Sequence, residues 1–206
     1  MPRARLQQPK ESIHLKKQEF VRHEIWVAAM DRFSAVGFDE TTVDQIATAA
    51  NVSRRTFFRY FSSKEDVMAA AMKGYGASLV CALQDQPKEL TPLKAAQAVV
   101  RHVARLAAGS PYAERLLKIA MESDDARKAQ ILEFPRIEDE LGKAFARRGG
   151  HPEDHLPSHL LARVTLSVTQ LSVTRWLQKQ RGPIENVVDQ AFSSLTQAFC
   201  PDAKQR

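Results

Sequence analysis

Cysteine is almost absent. The 206 residues hold two, Cys81 and Cys200. Two thiols so far apart offer neither a disulfide framework nor metal-ligand spacing, and this usage predicts a reducing, cytoplasmic compartment. Long apolar runs are missing too. No stretch of about 18 apolar residues occurs, so no membrane-spanning helix is expected. The opening MPRARLQQPKESIHLKK is basic and lacks the apolar core of a secretory leader. There is no strand-like alternation and no internal repeat. There is no G-x-S-x-G elbow, no Walker A loop and no G-x-G-x-x-G. Catalysis needs a site, and the sequence offers none, so neither enzymatic activity nor a cofactor is expected.

What is present is ordinary globular material. Hydrophobic residues make up 44% and charged residues 26%, which excludes a disordered chain. The length suffices for a sizeable core in one large or two small domains. A net charge of +6 and a pI near 9.5 agree with a polyanionic partner.

The richest segment is GFDETTVDQIATAANVSRRTFFRYFSSKE, from Gly37 to Glu65. Gly37 closes a helix-period run of Ile25, Ala29, Phe33 and Val36, and suits a C-terminal cap at positive φ. Thr41 or Thr42 caps the next helix. Val43, Ile46, Ala47 and Ala50 then form its narrow apolar face. Asn51 tolerates a left-handed turn, Val52 plugs the angle between helices, and Ser53 caps a helix over roughly 54–61. Phe57 and Phe61 point inward on this spacing. Arg54, Arg55, Thr56, Phe58 and Arg59 are left outside. Ser62 or Ser63 caps a further helix, whose Lys64 is placed to reach a phosphate. Helix, tight turn, helix is the helix-turn-helix arrangement, whose second helix enters the major groove of DNA. A helical subdomain with a solvated basic face fits the same spacing.

TTVDQIATAANVSRRTFFRYFSSKEDV resembles the N-terminal DNA-binding domain of the TetR family of bacterial transcriptional regulators, over roughly His23 to Met72. The resemblance implies that Thr42 touches a phosphate and that Arg54, Arg55 and Thr56 face bases. It gives Phe58 and Tyr60 the DNA backbone, and Lys64 a second phosphate. Asn51 stands where the family usually has Gly, and Arg55 where many members have a small residue. Asp44 stands where some members carry a base-reading cation, and it receives no DNA role.

The expected fold is all-α, about nine helices. A basic arm over 1–14 precedes a helix-turn-helix domain over 15–72 and a helical ligand-binding and dimerisation domain over 73–206. The arm reads either as a solvated tail or as a minor-groove arm. After the motif, helices are expected over 64–83, 92–108, 111–122, 124–148 with a kink at Pro135, 157–180 and 183–199. Gly74 and Gly76 read as a flexible join inside the first of these. The last two helices carry long apolar sets, and core packing explains part of each. The family resemblance implies a four-helix homodimer interface using Leu160, Val164, Val168, Leu171, Val188, Phe192 and Leu195.

The central helices are expected to enclose a pocket with Val103, Leu117, Met121, Phe134, Gln170 and Trp176 in its wall. Each fits an ordinary core equally well, since cores and pockets share their chemistry. RHVARL and FARRGG weakly resemble a TetR subset proposed to bind acyl-coenzyme-A-like ligands, with Arg101, Arg105 and Arg115 as anion contacts or exposed residues. His151, His155 and His159 are spaced four apart, but Pro152 and Pro157 break the helix that would align them, so no metal site is expected. The sequence therefore points to a ligand-responsive regulator, most simply a repressor. Its partners would be a palindromic DNA operator, a small apolar or acyl-type effector and a second copy of the chain. The rival reading is a helical small-molecule-binding or interaction protein without a DNA role.

Overall fold

The structure is a computed structural model that describes residues 8–179 and 182–199. Those residues form ten helices and no strand. In chain order they are α1 (Gln8–Val36), α2 (Val43–Ala49), α3 (Arg54–Tyr60), α4 (Lys64–Gln84) and α5 (Pro92–Ala108), then α6 (Ala113–Glu122), α7 (Asp124–Ile131), α8 (Phe134–Gly149), α9 (Leu156–Lys179) and α10 (Ile184–Phe199). None is long and apolar enough to cross a membrane.

The tenth helix arises where a kink was expected. The chain stops at Leu132, whose N–H returns to the Lys128 carbonyl (3.0 Å), and restarts at Phe134. Pro135 lies in the first turn of α8, where its missing N–H costs no helical bond. At the other end, α1 reaches back to Gln8, so it takes in the second half of the segment read as an arm. Residues 1–7 of that segment lie outside the described residues.

Two apolar clusters organise the chain. The first joins α1 to α4 through Ile25, Phe33, Ile46, Phe57, Phe61 and Met68, and takes in Ile119 of α6 and Ala126 of α7. The second packs the later part of α4 with α5, α8, α9 and α10. α4 belongs to both, contributing Val67 and Met68 to one and Leu79 and Leu83 to the other.

That continuity corrects the expected flexible join. Gly76 is buried within α4, and a Cβ there would stand 2.8 Å from Ile137 Cγ1. Gly76 is what lets α8 approach α4. Gly74 faces open space, with nothing within 4 Å of where a Cβ would stand. The two positions should therefore respond in opposite directions. Gly74→Ala should stabilise the fold by about 1 kcal/mol through helix propensity. Gly76→Ala should cost a net of about 1–2 kcal/mol, because Ile137 is fully buried and stiff at χ1. Urea unfolding of both variants checks this, and equal shifts would overturn it.

The C-terminal helix is locked to α5. Asp189 accepts from Gln97 Nε2 (3.0 Å), from Arg101 Nε (2.8 Å) and from Arg101 Nη2, while Arg105 Nε donates to Glu185 (2.8 Å). The Arg101 hydrogen bond holds the Asp189 carboxyl below the usual carboxylate range. Beneath these pairs, Ile184, Val188 and Phe192 form a ridge buried in the chain's own core. Val188 and Phe192 are thus corrected from dimer-face candidates to core, and Val168 is nearly buried as well. The ridge one position round, Val187, Ala191 and Leu195, faces outward into a groove of about 420 Å³ between α10 and α9, with Leu171 opposite. Two apolar ridges at helical spacing look alike in sequence, and only the packing of α5 decides which one is covered.

Candidate nucleic-acid interface and cavity

The motif is built from local capping. Gln45 N–H donates to Thr42 Oγ1 (3.3 Å) and Thr42 N–H donates to Gln45 Oε1 (2.9 Å), a capping box that opens α2. Thr41 is instead buried and donates to the Gly37 carbonyl (2.6 Å). Asn51 takes φ 52°, the left-handed turn, and the Val52 N–H returns to the Ala47 carbonyl at 2.9 Å. Ser53 accepts from the Thr56 N–H (3.0 Å) and opens α3, and Ser63 caps α4.

On α3, Phe57 is fully buried, and Phe61, just past its end, is nearly so; these two residues fix the helix rotation. Arg54, Arg55, Phe58 and Arg59 are exposed; Thr56 and Tyr60 are half-buried. Arg55, Thr56, Phe58 and Arg59 border one shallow concavity. Arg54 Nη1 lies 2.5 Å from Asp44 Oδ2 of α2, and its guanidinium stands 5.5 Å from the Phe58 ring centre. Arg59 covers the Tyr60 ring at 4.9 Å. The Thr56 hydroxyl lies 2.8 Å from that of Ser53. Arg55 makes no ion pair among the described residues.

Lys64 departs from expectation. Its ammonium donates to the carbonyls of Phe38 (2.7 Å), Asp39 (2.9 Å) and Thr41 (3.1 Å), and stands 4.6 Å from the Phe38 ring centre. All three ammonium donors are engaged within the chain, so none is left over for a phosphate in this conformation. The residue ties the start of α4 to the loop between α1 and α2. Lys64→Ala should lower stability by about 1–3 kcal/mol, because three carbonyls lose a charged donor. Thermal unfolding measures this, and an unchanged midpoint would return Lys64 to a purely surface part.

A cavity of about 720 Å³ lies between α1, α4, α5, α6, α7, α8 and α9. Val103, Leu117, Phe134 and Gln170 line it. So do Trp26 of α1 and Tyr75 of α4. Tyr112, at the start of α6, meets Trp26 edge-on with ring centres 4.8 Å apart.

Residues 25–71 match the family model described as bacterial regulatory proteins, tetR family, and residues 90–200 match the MftR C-terminal domain of TetR regulators. The chain belongs to the TetR family. It is a DNA-binding transcriptional regulator, and its matched families and relatives are regulators, not enzymes. It is 28% identical over 195 residues to the HTH-type transcriptional regulator TcmR of Streptomyces glaucescens, covering 91% of this chain and 86% of that one. Among solved structures, the transcriptional regulator FadR from Bacillus subtilis in complex with stearoyl-CoA matches with a TM-score of 0.60 and 18% identity, over 84% of this chain and 96% of that one. NalD, the secondary repressor of the MexAB-OprM multidrug efflux pump in Pseudomonas aeruginosa, matches with a TM-score of 0.63 and 16% identity, over 87% and 96%.

Within this TetR-family chain the cavity includes only part of the expected wall. Met121 is 69% exposed in the last turn of α6 and lies outside the cavity. Trp176 is outside as well; its indole N–H donates to the Gly182 carbonyl (3.0 Å), so it closes the turn before α10. Arg101 and Arg105 pair with α10, and Arg115 Nη1 pairs with Asp31 of α1 (2.6 Å), so none of the three lines the cavity. The His151 and His155 rings stack at 3.9 Å, and the described residues contain no group of three metal-ligating side chains. Trp26 and Tyr75 were missed as wall residues. The spacing of Met72, Tyr75 and Leu79 along α4 was the available signal for Tyr75. Trp26 gave none, because it sits one position off the apolar face of α1.

Proposed function

We propose that this regulator is a homodimeric repressor, released from a palindromic operator by a small apolar or acyl-type effector bound in the 720 Å³ cavity. One observation carries the reading. α4 is a single helix that starts beside α3 at its Ser63 cap and reaches the cavity wall at Met72 and Tyr75. An effector that prefers one position of α4 biases the spacing of the two recognition helices, and its differential affinity sets the loss of DNA affinity. Arg54, Arg55 and Thr56 would face bases. Thr42 would present the positive start of α2 to a phosphate, and Phe58 and Tyr60 would lie along the DNA backbone. The division into residues 15–72 and 73–206 follows the same logic, with α4 spanning it. Leu160, Val164, Leu171 and Leu195 would meet a second copy across the groove between α9 and α10. The repressor role of NalD and the stearoyl-CoA held by FadR support the reading by fold alone.

Selection of bound duplexes from a random library tests it. The expected product is a two-fold symmetric motif whose affinity falls steeply with salt. Recovery of no motif would remove the DNA role assigned to α3.

A further inference from the structure

Two residues of the cavity wall each carry a buried hydrogen-bond donor without a partner among the described residues. The Trp26 indole nitrogen and the Tyr75 hydroxyl are both shielded from solvent, and neither makes a hydrogen bond of ordinary geometry. Thr169, which gives its own proton to the Thr165 carbonyl (2.7 Å), lies beside Tyr75 as an in-chain acceptor, but not at ordinary hydrogen-bond geometry. Buried polar groups are nearly always satisfied, so two orphans on one cavity wall call for acceptors from outside the chain. Burial raises the Tyr75 phenol above its ordinary pKa, with Thr169 offsetting part of the rise, so it stays a donor at neutral pH.

The rest of the wall narrows the class. Among the described residues, no Lys, Arg, His, Asp or Glu lines the cavity. The nearby arginines are already paired, Arg101 with Asp189, Arg105 with Glu185 and Arg115 with Asp31. An ionised group inside would lose its hydration with no counter-charge to meet it. Aromatic faces are frequent instead, from Trp26, Tyr75, Tyr112 and Phe134.

We infer that the cavity selects a neutral, largely apolar, ring-containing molecule bearing a carbonyl or ether acceptor, which receives the Trp26 N–H and the Tyr75 O–H. This rests on the cavity being the effector site, and it narrows that site away from anionic acyl carriers. It also adds a second lever. Trp26 belongs to α1, which packs on the recognition motif, and Tyr75 belongs to α4, which leads out of it. A ligand that meets both donors thereby bridges the two helices that hold α2 and α3.

The test compares four probes by calorimetry on the full chain: 2-acetylnaphthalene, 2-ethylnaphthalene, 2-naphthoate and palmitoyl-coenzyme A. A Trp176→Phe variant, whose remaining tryptophan is Trp26, reports by fluorescence whether binding occurs in this cavity. 2-Acetylnaphthalene should bind roughly tenfold tighter than 2-ethylnaphthalene, the worth of satisfying a buried donor. It should also bind tighter than 2-naphthoate or palmitoyl-coenzyme A. Trp26→Phe and Tyr75→Phe should each shrink the acetyl-to-ethyl ratio, and the double variant should bring it to one. Equal binding of the acetyl and ethyl probes to the unmodified protein would overturn the donor assignment and leave the cavity intact as a site. Tightest binding of either anionic probe would overturn neutrality alone. If none of the four binds, the effector-site reading falls and this inference falls with it.

Discussion

Leu171→Asp should turn the proposed homodimer, a species of twice 23.1 kDa, into a folded monomer. Leu171 is 57% exposed in the single chain and faces the outward ridge of α10 across an apolar groove. On the inward side of α9 lie Ala162, Thr165, Thr169 and Ser172, all fully or almost fully buried. The Thr165 and Thr169 hydroxyls are satisfied by carbonyls one turn back. The helix thus buries Leu166, Val168 and a row of small and hydroxyl residues in its own chain and leaves Leu160 and Leu171 outside, an arrangement that suits a second apolar partner. A carboxylate placed at an isologous contact appears twice and faces itself or apolar surface, at a cost of several kcal/mol. With dimerisation lost, each chain holds one half-site, and operator affinity should fall on the order of a hundredfold or more. Phe192→Asp is the informative partner. Phe192 is 4% exposed within the chain's own core, so this change should unfold the C-terminal helices rather than separate intact subunits. Sedimentation and circular dichroism together separate the two outcomes. A Leu171→Asp protein that stays dimeric at micromolar concentration would sink the assignment of this face.

The contrast between Leu171 and Phe192 also marks how far the sequence could be read. The helices and their caps were legible because their causes are local. Thr42, Ser53 and Ser63 each satisfy the N–H group three residues on, and Asn51 and Gly37 set their own φ. The all-α class followed from those caps and from apolar spacing. What the sequence did not reveal depends on distant neighbours. Val187 and Val188 are adjacent in sequence, and only the packing of α5 decides which is core. Gly76 looked like a weak point until Ile137, from another helix, was seen to occupy the space above it. Lys64 looked free because its three acceptors lie 23 to 26 residues away. The cavity was half legible. Val103, Leu117, Phe134 and Gln170 were placed in its wall by pattern, whereas Met121 and Trp176 share that pattern and lie outside it. Trp26 entered the wall only because α1 packs beside α6, a contact that Arg115 and Asp31 secure from the surface.

Arg55→Ala should remove sequence preference at one operator position by about 1–3 kcal/mol, or roughly 5- to 150-fold per half-site. Arg55 is exposed on α3, makes no ion pair among the described residues, and borders the concavity shared with Thr56, Phe58 and Arg59. Its guanidinium is therefore available to a guanine edge without first breaking a contact. Arg54 differs, because Asp44 holds it at 2.5 Å. The pair is well exposed on both sides, so it adds little stability and acts mainly on orientation. Two consequences separate the arginines. Arg54→Ala should lose base preference at a different position from Arg55→Ala. Asp44→Asn should strengthen binding to all duplexes, since a negative charge leaves the DNA face, while blurring the base preference of the released Arg54. Selection of bound duplexes with each variant, repeated at two salt concentrations, reads both effects. The double replacement of Arg54 and Arg55 by Ala is the decisive control. If it selects the same motif as the unmodified protein, α3 is not the element that reads the bases, and the capping and core contacts that orient it serve packing alone.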